Sequence, residues 1–524
     1  MAAPLSELLP LQQWQLGLLA VLPVMVLSLV FLTTKQSRRG NSTGTKGGAR
    51  LPPGPTQVPV LGNLHQLGPL PHRNLRELAR RHGPVMLLRL GTVPTVVVSS
   101  AEAAREVMKA HDVDCCSRPV SPGPKRLSYD LKNVAFAPYD EYWREMRKLF
   151  IVELLSMRRV KAAWYAREQQ VDKLLCNLRR MGPNPVALNE HIFGLADGII
   201  GTVAFGNIYG TERFAHKQHF QHVLDEAMDM MASFSAEDFF PNAAGRLVDR
   251  LTGLVARRER IFTELDAFFD MVIDQHMDPA RDDNGGGDLV DVLIDLWKQH
   301  RGTLRFTRDH VKGIILDTFL GGIDTSSVTM LWAMSELIRK PRVLKKVQDE
   351  IRAVVGNNNK DRVEPDDVPK LAYLKMVVKE TLRLHPPATL LLPRETMRRV
   401  TIGGYDVPEK TRVFVNAWAI GRDPASWTDD AEEFRPERFE VSDVDFNGAH
   451  FELVPFGAGR RICPGLAMGV TNVEFTLANL LYCFDWTLPE GMKPEDVSMD
   501  EAGGLTFHRK TPLVLVPTTY QPVA

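Results

Sequence analysis

The sequence predicts a mainly helical domain with a small β-rich region, carried behind one N-terminal transmembrane helix. Three observations predict it. Leu16 to Leu32 is almost wholly apolar and is followed by basic residues. Residues from about Val160 to Met277, and again from Thr307 to Lys340, keep a helical pattern with few breaks. Short β-branched or apolar runs flank glycine turns within 85–98 and 400–415.

Composition sets the outer limits. A chain of 524 residues can bury several cores or one large one. Its formal net charge is zero, so nothing points to nucleic acid as a partner. The five cysteines, Cys115, Cys116, Cys176, Cys463 and Cys483, are few, odd in number and unpaired in spacing. That suits a reducing compartment rather than a disulfide framework. No internal repeat is visible.

Residues 1–34 form the expected anchor, 35–55 a basic linker and proline hinge, and 56–524 the main domain. The apolar stretch is broken only by Gly17, Pro23 and Ser28. With Trp14, Thr33 and Thr34 it is just long enough to span a bilayer. Lys35, Arg38, Arg39, Lys46 and Arg50 follow it, while Glu7 is the only charged side chain before it. This bias places the main domain in the cytosol. A cleaved secretory signal would carry its positive charge first. In this orientation the sequon Asn41-Ser42-Thr43 would stay unmodified. Arg38 to Arg50 reads as a flexible linker, and Leu51-Pro52-Pro53-Gly54-Pro55 then stiffens the chain.

Val85–Leu90 and Thr95–Val98 read as a hairpin, and Ser99 with Glu102 as a capping box for the next helix. Ser117 to Asp130 reads as a long binding loop. Tyr142 to Arg147 lies on a helix, where Trp143 and Arg147, four apart, share a face. That pair is either ordinary packing or a carboxylate-binding surface, because arginine grips carboxylates bidentately. Phe234 to Pro241 is an aromatic break between helices and a candidate channel wall, and Asp278 to Asp288 an exposed loop.

Thr307 N-caps the longest helix, Asp309 suits its first turn and Pro341 ends it, giving about 50 Å. Its middle reads Gly321-Gly322-Ile323-Asp324-Thr325-Ser326. Two glycines there cost roughly 2 kcal/mol relative to alanine. They serve either close helix packing or a local opening of the helix. Leu371–Leu384 is a further helix carrying Glu380 and Arg383, followed by the apolar stretch Ala388–Leu392. Val400–Ile402 and Arg412–Val415 read as a second hairpin.

Near the C-terminus stands Pro455-Phe456-Gly457-Ala458-Gly459-Arg460-Arg461-Ile462-Cys463-Pro464-Gly465. A lone cysteine is commonly a small buried apolar residue. Zinc would need further ligands at close spacing, and none is near; a reactive redox cysteine is another reading. Neighbouring arginines and the N-terminus of the helix from Leu466 to about Tyr482 favour a thiolate at Cys463. A thiolate on a fixed loop can ligate haem iron.

The spacing Phe456, Gly459, Arg461, Cys463, Gly465 resembles the haem-ligand loop of cytochromes P-450. Further matches follow in chain order: the proline hinge, Trp143 with Arg147, Gly321 to Thr325, Glu380 with Arg383, and Phe434-Arg435-Pro436-Glu437-Arg438-Phe439. The resemblance implies the cytochrome P-450 fold and haem b as cofactor, with Cys463 as axial iron ligand. It implies that Trp143, Arg147, Arg394, Phe456 and Arg461 contact the haem, and that Asp324 and Thr325 relay protons. Glu380, Arg383 and Arg438 would form a buried network behind the haem loop. Glu501 to Phe507 resembles the family's last substrate-contacting turn.

No trustworthy dinucleotide motif is present, so electrons are expected from NADPH-cytochrome P-450 reductase, with Arg144, Lys148 and Arg460 as candidate docking residues. Similarity to the plant microsomal group implies single-pass anchoring in the endoplasmic reticulum membrane. Within that group, Asp112 to Pro119 and Phe319 to Ser327 resemble aldoxime-converting enzymes of cyanogenic glucoside synthesis. A small aromatic aldoxime, converted to a nitrile and then a hydroxynitrile, is the expected substrate. Another small specialised metabolite, a non-oxygenating haem-thiolate dehydratase or isomerase, and a non-enzymatic haem- or lipid-binding protein are the alternatives.

Overall fold

The longest helical pattern becomes the axis of the molecule. The computed structural model describes residues 50–206, 209, 217–279, 281, 287–299, 305–356 and 360–521. The expected anchor and most of the linker therefore lie outside the described residues.

In chain order the main elements begin with α1 (Pro71–His82), β1 (Val85–Leu90), β2 (Val93–Val98), α2 (Glu141–Leu149) and α3 (Trp164–Met181). Next come β3 (Val186–Ala187), α4 (Leu188–Phe205), α5 (Lys217–Ala232), α6 (Ala243–Leu251), α7 (Leu254–Met277) and α8 (Arg308–Arg339). After them stand α9 (Pro341–Val355), α10 (Ala372–Leu384), β4 (Arg394–Glu395), β5 (Val400–Ile402), β6 (Tyr405–Val407) and β7 (Arg412–Val415). The last are α11 (Leu466–Cys483), β8 (Phe484–Thr487), β9 (Glu501–Gly503), β10 (Phe507–Arg509) and β11 (Val514–Thr519).

Helix α8 has 32 residues, about 48 Å at 1.5 Å per residue. Thr307 stands at its N-cap, and Pro341 opens α9 instead of prolonging it. Its first half packs Val311, Ile314, Ile315 and Phe319 against Phe205, Phe220 and Phe269. Its second half packs Met330, Leu331, Met334 and Leu337 with Leu374, Val377, Phe475 and Leu480. Each such fully buried side chain contributes about 1.5–3 kcal/mol, so α8 ties the two cores together. It passes the length and hydropathy test for a membrane span, but most of its most apolar window is buried inside the protein, as a core helix requires.

The β-rich region holds a four-stranded sheet in the order β1-β2-β7-β4. β1 and β2 form the expected hairpin. The second expected hairpin is different: β5 pairs with β6 through Ile402 and Tyr405, and β7 runs parallel to β2 instead. Gly403 and Gly404 have φ of 59° and 75°, which fits a tight two-residue turn. That turn closes on the nearest three residues, leaving β7 free for the larger sheet.

Three further expectations are corrected. Ser100, not Ser99, caps the helix at Ala101, by accepting from Ala103 N. The loop at 117–130 contains a helical turn, Pro122–Leu127. Asp288 is not exposed: its carboxylate pairs with His276 and Arg281 and is buried.

Candidate active site

The cysteine loop is shaped by its own backbone. Cys463 N donates to the Phe456 carbonyl at 2.9 Å, and Ile462 N to the Gly459 carbonyl at 3.1 Å. Gly459 has φ of 68°, and a Cβ there would stand 2.3 Å from the Met108 carbonyl oxygen. Only glycine fits that turn. Helix α11 begins at Leu466, so Cys463 precedes its N-terminus as expected. Burial nevertheless pushes the Cys463 thiol up, outweighing the Gly465 N–H and Arg147, which pull it down. The expected thiolate thus does not arise from the surroundings alone; coordination to a metal is what deprotonates such a thiol.

Around the loop lies a cluster of guanidinium groups. Arg461 is buried and donates to the carbonyls of Cys116 (2.7 Å), Val134 (3.3 Å) and Ala137 (2.6 Å). Arg118 is buried and donates to the carbonyls of Ala135 (3.0 Å), Leu392 (2.7 Å) and Pro393 (2.8 Å). Arg147 on α2 reaches the Ile462 carbonyl at 2.5 Å. None of the three forms an ion pair among the described residues. Burial lowers all three, Arg461 to about 9, and the positive charge of Arg461 and Arg147 depresses Arg118 further. Buried cations without counter-ions are costly unless an anion joins them. The two carboxylates of haem b would supply that anion.

Arg394 differs. It is buried, but Asp112 pairs with it at 3.3 Å and the Ala458 carbonyl accepts from it at 2.9 Å. Asp112 also accepts from Arg460 N (2.9 Å) and Arg460 Nη1 (3.0 Å), so it fastens both arginines to the loop. Trp143 is buried and donates to the Val134 carbonyl at 2.9 Å; its ring lies under the Arg461 guanidinium, 4.0 Å from the centroid. The residues at 133–135 are in turn tied to α8, because Asp317 accepts from Asn133 Nδ2 (2.7 Å), Val134 N (2.8 Å) and Ala135 N (3.1 Å).

The middle of α8 is open. Val311–Leu316 and Ser326–Ile338 are buried, but Gly321 is exposed and Gly322–Thr325 half-exposed. The helix itself does not break there; Arg308–Arg339 is continuous, which corrects the expected local opening of the backbone. The two glycines divide the two expected roles. A Cβ on Gly322 would meet Ile200 Cδ1 at 2.6 Å, so that glycine permits close packing on α4. A Cβ on Gly321 would meet nothing within 4 Å, so that glycine faces space. Near it Gly469 of α11 approaches Ser326, with 4.0 Å between its Cβ position and Oγ. The half-exposed Phe456 and Cys463 lie on the loop that leads into α11, and the half-exposed Leu466 opens that helix. An open patch on a core helix beside a cationic cluster and a lone thiol has the features that a flat, dianionic, iron-bearing macrocycle needs.

Thr325 donates its hydroxyl to the Gly321 carbonyl at 2.7 Å. Asp324 Oδ2 accepts from Thr506. Burial pushes the Asp324 carboxyl up, Thr506 and His508 oppose this, and Asp229 adds to it. A cavity of about 390 Å³ between α4, α5 and α8 reaches Asp324, with Glu190, Asp197, Asp225 and Phe319 in its wall. Phe234 stacks on Phe239 at 5.0 Å, and the Phe239 carbonyl accepts from Thr92 N at 2.9 Å, so this aromatic break packs on the β1–β2 turn. Arg118, Asp112 and Thr506 lie in stretches the sequence singles out, 112–119 and 501–507, but their individual roles are not legible there. Asp112 meets Arg394 and Arg460, and Thr506 meets Asp324, only through contacts between distant parts of the chain.

Glu380 and Arg383, both with fully buried side chains, pair at 2.7 Å, and Arg438 joins Glu380 at 2.9 Å. Arg383 also donates to the carbonyls of Gly421 and Ala431, both at 2.6 Å, and of Glu433 at 2.9 Å.

A family model of cytochrome P-450 matches residues 52–516. A 4-hydroxyphenylacetaldehyde oxime monooxygenase of Sorghum bicolor is 73% identical over 513 residues, 97% of this chain and 96% of that one. A 2-methylbutanal oxime monooxygenase of Manihot esculenta is 51% identical over 510 residues, 97% of this chain and 98% of that one. A zebra fish cytochrome P-450 solved with abiraterone superimposes with a TM-score of 0.71 at 25% identity, covering 86% of this chain and all of that one. Together with the cysteine loop, the cationic cluster and the exposed stretch of α8, these matches place the chain in the cytochrome P-450 family, whose cofactor is haem b.

Proposed function

We propose that this haem monooxygenase converts an aromatic aldoxime of the 4-hydroxyphenylacetaldehyde oxime type to the nitrile, and then hydroxylates the carbon beside the nitrile. The observation that carries this reading is 73% identity, across 97% of the chain, to a monooxygenase named for that oxime. The first step removes water from the C=N–OH group. The second consumes one O₂, two electrons and two protons, leaving a hydroxynitrile and water. Haem b, when bound, supplies the activation of oxygen and its insertion into the substrate.

The chain's own residues would act as follows. Cys463 would ligate the haem iron through its sulfur, held by its hydrogen bond to Phe456 and by the turn at Gly459. Arg118, Arg147 and Arg461 hold the propionates, with Trp143 fixing the plane of Arg461. Arg394 and Phe456 border the haem, Arg394 acting mainly through Asp112 and Ala458. Gly321 leaves room beside α8, and Asp324 with Thr325 would hold and pass protons there. Desolvation pushes the Asp324 carboxyl above the ordinary carboxylate range, which favours its proton-carrying form.

NADPH-cytochrome P-450 reductase would supply electrons, and the exposed Arg144 and Lys148 on α2 offer it a basic face. Residues 1–34 would anchor the chain in the endoplasmic reticulum membrane, 35–55 serve as linker and hinge, and 56–524 form the catalytic domain. The test is turnover of 4-hydroxyphenylacetaldehyde oxime with reductase and NADPH. Nitrile and hydroxynitrile should both appear; absence of both from haem-loaded enzyme would overturn the substrate assignment.

A further inference from the structure

The β9–β10 hairpin lies along α8 and is pinned to it at three points. Arg509 Nη1 donates to Ser335 Oγ at 2.8 Å, Trp332 Nε1 to the Phe507 carbonyl at 3.1 Å, and the Thr506 hydroxyl to Asp324 Oδ2. Asp324, Trp332 and Ser335 fall on one helix face. The hairpin is also fixed from outside. Glu501 accepts from Arg73 at 2.7 Å and is bonded to His72, and Phe507 N donates to the Pro387 carbonyl at 3.0 Å. Two of the three pins on α8 are ordinary anchors. The third grips the one acid of the open stretch. It does so while the neighbouring Thr325 hydroxyl is engaged with the Gly321 carbonyl.

We propose that Thr506 is a positioning residue for the Asp324 carboxyl, holding the acid on the hairpin so that the turn at 503–506 sets when Asp324 can turn toward Thr325. The inference rests on the reading of Asp324 as a proton carrier. The proton balance is simple: Asp324 yields its proton on the Thr325 side and regains one from water in the cavity between α4 and α5. Thr506 keeps its own proton throughout. The groups facing Asp324 are Thr506 and His508 from the hairpin and Asp229 and Asp225 from α5; Asp197 and Glu190 of α4 share the cavity wall. A hydroxyl donating to Asp324 favours its charged form, so removing the hydroxyl raises the pH at which the acid ionises.

The experiment compares Thr506→Val, Thr506→Ser and Asp324→Asn as full-length holoenzymes, with Thr506→Ala replacing the valine variant if that fails to fold. Two quantities are read: hydrogen peroxide released per NADPH, and the pH titration of the Asp324 carboxyl infrared band, identified by its loss in Asp324→Asn. Thr506→Val should raise peroxide release about tenfold and move the titration up by about one pH unit, while Thr506→Ser restores both. A merely structural anchor would change heat stability but neither reading. If Asp324→Asn releases peroxide and Thr506→Val does not, the inference fails and the role of Asp324 stands. If Asp324→Asn couples like wild type, both fail together.

Discussion

Two clusters of buried or half-buried arginine stand in this protein, and they are finished differently. Around Glu380 every charge is met within the chain: Glu380 serves Arg383 and Arg438, Asp430 also pairs with Arg438, and further N–H groups reach backbone carbonyls. Around Cys463, Arg118, Arg147 and Arg461 hydrogen-bond to carbonyl oxygens, and among the described residues none of the three forms an ion pair with a carboxylate. The first cluster is complete and rigid, which suits a support. The second is complete only with an anion from outside, which marks a binding site. Arg394 sits between them, one ion pair from Asp112 keeping it on the finished side.

That comparison can be broken at its ends and sharpened in its middle. Glu380→Gln should do most harm, because it leaves Arg383 without a counter-ion and Arg438 with Asp430 alone. A loss of about 3–5 kcal/mol is expected, read as a fall in unfolding temperature with poor haem retention. Asp112→Asn should cost less, about 1.5–3 kcal/mol, because Arg394 keeps its bond to Ala458. Its signature would be a looser haem pocket in an otherwise folded protein. Arg147→Leu should separate the two kinds of cluster most cleanly. Haem affinity should fall about tenfold, while the haem-free protein stays within about 1 kcal/mol of wild type or gains stability. A large loss of haem-free stability would show that Arg147 is structural after all.

The smallest effect concerns pH at the hairpin. Burial opposes ionisation of Glu501, but hydrogen bonds from His72 and Arg73 outweigh it and hold the carboxyl at about 2. Its folded value is thus below the ordinary carboxylate value of about 4.3. The stability it contributes is present above that ordinary value and is lost as pH falls from there toward about 2. The amide protection factors of Glu501–Arg509, corrected for the intrinsic exchange rate, should therefore fall as pH drops below about 4. Replacing Glu501 by Gln should remove this response.

The sequence made legible what is local. The Cys463 loop carries its own turn chemistry, and Glu380 with Arg383 is one helical turn apart, so both could be read without a fold. The pairing of β5 with β6 is the shorter of two hairpins compatible with the sequence, and Gly403-Gly404 marks its turn. Ser99 and Ser100 are both plausible caps; only the entry angle of the helix decides between them. Gly321 and Gly322 look alike in sequence, yet one faces Ile200 and the other faces space. Lack of a partner is the hardest property to read. Whether Arg118 or Arg394 has a carboxylate depends on Asp112, which folding brings to Arg394 and Arg460 and not to Arg118.

The central claim is that Cys463 ligates haem iron as a thiolate within the unneutralised cluster. The reduced, carbon monoxide-bound absorption spectrum of the wild-type protein beside Cys463→Ser tests it most directly. A Soret band shifted far to the red in wild type and lost in the variant is the predicted result. The same shifted band in Cys463→Ser, or its absence from haem-loaded wild type, would contradict the account.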